Sequence, residues 1–262
     1  MRGAIIDLDG TVYVGGVVVD GVDAGLQALR EAGYAILFFS NNPVMDETTY
    51  VSHLQNMGVD ARPGETCSSG TATIEVLTER HPDEAILCLG ADSVCEQLRD
   101  AGLVVTDDPD ECEVLLASWD PQFNYESMRR ALVAADEETP FYGTDPDRTF
   151  QVSGDELVPG SGAVIGAVAA TIGREPDDIF GKPSTTAQRV ALDRLGVPPD
   201  ECLIIGDRLD TDLEMGRRAG MTTVLVLTGV TDRAAVERAS FDPDYIIDDI
   251  GDIDQVIADL SA

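Results

Sequence analysis

The segment Ala4-Ile5-Ile6-Asp7-Leu8-Asp9-Gly10-Thr11 runs from apolar residues into carboxylates and then into glycine. That is the pattern of a buried strand emptying into a loop. Two carboxylates two residues apart, where strand opens into loop, can face one crevice. Downstream, Val22 to Gly33 has helical periodicity through Leu26 and Leu29, with Gly33 as its stop. Tyr34 to Phe39 reads as a second buried strand ending at Ser40-Asn41-Asn42-Pro43, and Thr48 to Met57 as a helix stopped by Gly58. Strand and helix alternating through such short connections predict a parallel sheet covered on both faces.

The far end repeats this grammar. Thr185 to Leu195 predicts a helix closed by Gly196, Cys202 to Asp207 a strand, and Asp210 to Ala219 a helix closed by Gly220. Strands over Thr223 to Leu227 and Tyr245 to Ile247 follow, then a helix over Ile250 to Leu260. The middle has its own βα alternation: Ala85 to Leu89, a helix over Ser93 to Ala101, Val114 to Ala117, a helix over Tyr125 to Ala135, and Pro140 to Tyr142. The expected organisation is an α/β parallel-sheet core over 1–69 and 179–262, with a second α/β unit inserted over 70–178. A domain inserted into a loop of another suggests a lid over a site.

Composition narrows the function classes. The 262 residues are 44% hydrophobic, enough for a core and against disorder, yet 49 acidic residues face 17 basic ones for a net charge of -32. Such a surface repels nucleic acid and anionic membranes. No apolar run reaches the ~18 residues of a membrane helix, and the opening Met1-Arg2-Gly3 lacks a signal peptide's apolar region. A soluble cytoplasmic protein is the expectation. Five cysteines without a CxxC pair suggest neither a disulfide framework nor a zinc site, and two histidines leave little for a Ser-His-Asp hydrolase. Arginine supplies all the basic residues except Lys182. Acid excess with lysine nearly eliminated is expected of a protein from a halophile, where molar salt screens repulsion to within ~3 Å. In that setting Lys182 stands out as a retained, compact ammonium.

Four segments bring acid, hydroxyl, amide or amine groups to predicted strand ends: Asp7-Leu8-Asp9-Gly10-Thr11, Ser40-Asn41-Asn42, Gly181-Lys182-Pro183, and Gly206-Asp207-Arg208-Leu209-Asp210-Thr211-Asp212. In an open parallel sheet that edge holds ligands. Asp7 and Asp9 with Asp207 form a hard-oxygen set suited to Mg²⁺. A hydroxyl, exposed backbone N–H groups and one ammonium can hold a phosphate and disperse its charge. A carboxylate nucleophile beside a second carboxylic acid can form and hydrolyse an aspartyl-phosphate. Singly, each motif is an ordinary turn or helix start; the combination in this order is what points to chemistry.

On these motifs the chain resembles the haloacid dehalogenase (HAD) superfamily of phosphotransferases, and within it the NagD-like, 4-nitrophenylphosphatase class. The resemblance implies a Rossmann-like core with a C2-type cap between the second and third motifs. A C1 cap would follow the first motif, but Val12 to Asp20 is too short and looks like a small β-flap. Pro159-Gly160-Ser161-Gly162 before a small-residue helix also matches this branch. The resemblance implies that Asp7 is the nucleophile and a metal ligand, and that Asp9 is the general acid and then base, its carbonyl also on the metal. It makes Asp207 the third protein ligand and Asp212 a supporting acid behind it. Ser40, Asn41 and Asn42 resemble the phosphate grip, and Lys182 would neutralise phosphate and Asp7 together.

Substrate choice is expected in the cap. Gly143 to Phe150 aligns with the loop that lowers onto the leaving group in this branch, and Phe150 stands near where relatives favouring pyridoxal phosphate carry a histidine. Arg148 could meet a second anionic group or simply pair with a neighbouring acid; Phe150 could be core or substrate platform. The expected reaction is Mg²⁺-dependent hydrolysis of small phosphorylated metabolites, of sugar phosphate, phosphoglycolate or nucleoside monophosphate type. A receiver-like module is half this length and lacks the second acid. An idle HAD scaffold that binds a metabolite or partner stays as the alternative. The resemblance leaves a homodimer through the caps open to this chain.

Overall fold

The computed structural model describes residues 2–153 and 156–261, and the chain divides into two compact units. The first comprises 1–40, 47–67 and 187–262; the second comprises 41–46 and 68–186.

The first unit is built on a six-stranded sheet. Its strands, from edge to edge, are Tyr245–Ile247, Thr222–Val226, Cys202–Gly206, Arg2–Ile6, Tyr34–Ser40 and Thr66–Ser68. The first five of these pair in parallel. The central strands read as continuous apolar runs because both faces are covered, and Ile5, Ile6, Phe38, Phe39, Ile204 and Ile205 are all buried. The chain starts at Arg2–Ile6, grows outward through Tyr34–Ser40, then returns to the other side at Cys202–Gly206. The strand order therefore reverses between Arg2–Ile6 and Cys202–Gly206, the place where parallel sheets open a crevice beyond their carboxyl ends. The helix Val22–Glu31 presents Val22, Leu26 and Leu29 to the core, as the periodicity predicts. The expected flap is an antiparallel hairpin of Tyr13–Val14 with Val17–Val18.

The second unit holds a wholly parallel five-stranded sheet in the order Asp178–Ile179, Phe141–Gly143, Val114–Ala117, Ile86–Leu89, Val105–Thr106. Leu115, Phe141, Ile165 and Val168 lie in its core. A separate antiparallel hairpin joins Thr149–Ser153 to Glu156–Pro159.

Two expected helices are interrupted near their starts. Asp210 to Ala219 is not one helix: a wider turn over Leu209–Leu213 precedes a helix over Glu214–Ala219. Ile250 to Leu260 likewise begins as a 3₁₀ turn, Ile250–Asp252, before the helix Ile253–Asp259. All five cysteines are free thiols, and no helix among the described residues is long and apolar enough to cross a membrane.

Candidate functional site

The strand reversal of the first unit gathers its acids. Register pairs Ile6 with Ile205, and the Asp7 backbone N–H donates to the Ile205 carbonyl at 2.9 Å, so Asp7 and Asp207 leave neighbouring strands side by side. The turn over Leu209–Leu213 then carries Asp212 back, and its Oδ2 accepts the Arg208 backbone N–H at 3.2 Å. Carboxylate oxygens of Asp7, Asp207 and Asp212 lie within 4.8 Å of one another. Asp207 and Asp212 are 0% and 1% exposed, and Asp7 8%.

Glycines make room for this crowding. A Cβ on Gly206 would strike the Asp212 carboxylate, and one on Gly10 or Gly229 would strike that of Asp207. Gly10 also has φ +92°, which side-chain-bearing residues rarely adopt. The loop after Thr222–Val226 closes over Asp207, whose Oδ2 accepts the Val230 N–H at 2.6 Å, while the Thr228 hydroxyl donates to the Gly10 carbonyl. Three buried carboxylates at this spacing repel one another unless a cation offsets them. An all-oxygen carboxylate set is the donor chemistry of a hard divalent ion, so these residues fit Mg²⁺.

Asp9 stands apart from the three. Its side chain is exposed, and its Oδ2 accepts the Tyr13 hydroxyl at 3.2 Å. Tyr13 is itself buried, and burial foremost, then the charges of Asp9, Tyr50 and Asp7, drive its phenol far above the ordinary value. Ser40 ends the strand next to Arg2–Ile6 and is buried. Asp212, expected behind the ligands, has a carboxylate oxygen within the same 4.8 Å group as Asp7 and Asp207.

The other expected residues belong to the second unit. Lys182 is 1% exposed. Its backbone is clamped by the Asn41 side chain: Asn41 Oδ1 accepts the Lys182 N–H at 2.8 Å, and Asn41 Nδ2 donates to the Lys182 carbonyl at 3.1 Å. The same Nδ2 donates to Asp147 at 3.2 Å, which fixes the amide's orientation. Asn42 caps its own turn, its Oδ1 accepting the Val44 N–H. Arg148 is exposed, and Phe150 packs edge-on against Trp119 at 5.6 Å between ring centroids.

Sequence reasoning passed over Tyr13, Asp145 and Asp147. Asp145 is fully buried and its carboxyl is pushed up to about 7, by burial first and the Asp147 charge second. Hydroxyls of Ser161 and Thr144 and the Asp147 N–H hydrogen-bond to it. A usable signal existed: Asp145-Pro146-Asp147 repeats the Asp-x-Asp spacing of Asp7 and Asp9 after another strand.

Two family models match the chain: the haloacid dehalogenase-like hydrolases over residues 4–104, and the HAD-hydrolase-like family over 179–253. The acid sugar phosphatase of Staphylococcus aureus strain USA300 is 31% identical over 256 residues, covering 98% of this chain and 96% of that protein. The p-nitrophenyl phosphatase from Archaeoglobus fulgidus superposes with TM-score 0.90 at 34% identity, covering 97% of this chain and 98% of that one. NagD from E. coli K-12 superposes with TM-score 0.87 at 26% identity, covering 97% and 98%. The chain belongs to the haloacid dehalogenase-like hydrolases.

Proposed function

We propose that this chain is a phosphatase that hydrolyses phosphomonoesters of small metabolites through an aspartyl-phosphate on Asp7. The observation that carries the reading is the convergence of the Asp7, Asp207 and Asp212 carboxylates at the strand reversal. The names of the relatives, a sugar phosphatase and p-nitrophenyl phosphatases, support a phosphomonoester substrate.

On this reading an Asp7 oxygen attacks phosphorus while the bond to the leaving oxygen breaks, and Asp9 gives that oxygen its proton. Water then attacks the same phosphorus as Asp9 takes its proton back, and the Asp7–phosphorus link breaks to release inorganic phosphate. Asp7, Asp207 and the Asp9 carbonyl, with Asp212 beside them, would hold Mg²⁺, which supplies positive charge against the phosphoryl oxygens when bound. Ser40, Asn41, Asn42 and Lys182 serve the phosphate in the same proposal. Residues 70–178 form the cap that selects the leaving group, with Arg148 and Phe150 as its candidates for contact.

Phosphate release from 4-nitrophenyl phosphate in molar KCl, with Mg²⁺ and with EDTA, tests this. Wild type should be active only with Mg²⁺, and Asp7→Asn should lose about 10⁴-fold or more while staying folded. Wild-type-like rates in Asp7→Asn would remove the assignment; metabolite binding without turnover would favour the idle scaffold. The net charge of -32 carries a separate proposal, that the fold needs salt. Prolonged dialysis into dilute buffer should unfold the chain by circular dichroism, and full retention of structure and activity there would refute it.

A further inference from the structure

If Asp9 is the proton donor, its carboxyl must be aimed at the leaving oxygen, and a contact that narrows the rotamers of an exposed side chain serves that end. The Tyr13 hydroxyl reaches Asp9 Oδ2 at 3.2 Å from a ring the fold already holds in place. That ring is buried and stands perpendicular to the His53 ring, at 6.0 Å between centroids and 88° between planes. The backbone is equally constrained. The Leu8 carbonyl accepts the N–H groups of Val12 and Tyr13, and the Gly10 N–H donates to the Tyr13 carbonyl at 2.8 Å. The turn between the first motif and the flap therefore folds back on itself, with the tyrosine hydroxyl delivered to the second acid.

We propose that Tyr13 is a positioning residue for proton transfer by Asp9, a proposal that rests on the phosphatase reading above. Its hydroxyl donates to Oδ2, and in this proposal the proton to be transferred is carried on Oδ1. As the phosphorus–oxygen bond breaks, that proton passes from Oδ1 to the leaving oxygen and Asp9 becomes an anion. Tyr13 keeps its own proton throughout. Its hydrogen bond is an ordinary one while Asp9 is neutral and a charge-assisted one as the anion forms, so it strengthens toward the transition state. An interaction of that kind raises the rate of the step without tightening substrate binding.

The test compares leaving groups. Single-turnover release of phenol from phenyl phosphate and of 4-nitrophenol from 4-nitrophenyl phosphate isolates the first step in the full-length chain with Mg²⁺. Phenolate is the stronger base and needs the proton; 4-nitrophenolate leaves with little help. Tyr13→Phe keeps the ring and removes the hydroxyl. It should slow phenyl phosphate about tenfold and 4-nitrophenyl phosphate less than about threefold, with the half-saturating concentration and Tm unchanged. Equal losses on both substrates, no loss on either, or losses that track a fall in Tm would overturn the proposal. In an Asp9→Asn background, adding Tyr13→Phe should cost nothing further, and additive losses would count against it. Asp9→Asn also separates the two readings. If it fails to discriminate between the substrates, the general-acid assignment itself falls; if it discriminates and Tyr13→Phe does not, only the role of Tyr13 falls.

Discussion

In the first unit Asp7-Leu8-Asp9 follows the strand Arg2–Ile6; in the second, Asp145-Pro146-Asp147 follows Phe141–Gly143 after one threonine. The local grammar is the same, a parallel strand opening into an Asp-x-Asp loop. The neighbouring strands make the difference. Beside Arg2–Ile6 the strand Cys202–Gly206 delivers two more carboxylates, Asp207 and Asp212. Beside Phe141–Gly143 the strand Val114–Ala117 delivers Ser118, whose hydroxyl lies 3.0 Å from that of Thr144, and Thr144 in turn donates to Asp145. Crowded acids can be relieved by a cation or by protons and hydroxyls, and this chain uses one arrangement suited to each. Asp-x-Asp spacing alone therefore does not name a metal site. What the adjacent strand end contributes is what tells the two loops apart.

The largest consequence concerns the first loop. If its acids hold Mg²⁺, the ion should stabilise the folded chain by about 2.7 kcal/mol at a hundred times its Kd, since the unfolded chain offers no such cluster. For a chain of this size that is a rise in Tm of roughly 5–10 °C. Asp207→Asn should lose most of the rise. Without metal the same variant should melt no lower than wild type, because removing one charge eases repulsion among Asp7, Asp207 and Asp212. Asp145→Asn, in the other loop, should keep the full Mg²⁺ response. Thermal melts with Mg²⁺ and with EDTA read all of this without any turnover. An undiminished Mg²⁺ response in Asp207→Asn would erase the proposed contrast between the loops.

Legibility in the sequence follows the range of the forces involved. Long, apolar or periodic segments announce themselves: the strands Val114–Ala117 and Tyr245–Ile247 and the helix Thr185–Leu195 have the bounds their sequences predict. The helix Ser69–Arg80 has no such signature. Gly70, Thr71 and Thr73 dilute its helical propensity, and it is secured by a capping box between Ser68 and Thr71 and by burial of Val76 and Leu77. Val105–Thr106 and Asp178–Ile179 are two-residue strands, too short for any period to register. At the site, Asp7 and Asp207 are legible because their places just past strand ends follow from local pattern, whereas Asp212 is reached only through the family resemblance. Tyr13 escapes because a tight turn, not a periodic pattern, folds it back onto Asp9, and Asp145 because Ser118 joins its hydroxyl cluster from a neighbouring strand. Neither the closure of that turn nor the register between strands is carried by the pattern of a single strand.

The smallest and most discriminating effect lies in the second loop. Asp145 keeps its proton up to about 7 in the folded chain, against 3.8 for an unperturbed carboxyl. Between those values the folded state binds more protons than the unfolded one, so the unfolding free energy falls as pH rises from about 4 to 7 and then levels off. Asparagine at this position has nothing to titrate, while its carbonyl can still accept the Thr144 and Ser161 hydroxyls. Relative to wild type, Asp145→Asn should therefore gain stability steadily across that window, measured by denaturant unfolding at fixed high salt. The gain should stop above pH 7, where wild-type Asp145 is ionised and the difference reaches its ceiling. Parallel curves for variant and wild type from pH 4 to 7 would mean that Asp145 ionises normally. The hydroxyls would then be solvating a charge, and the two Asp-x-Asp loops would no longer differ in kind.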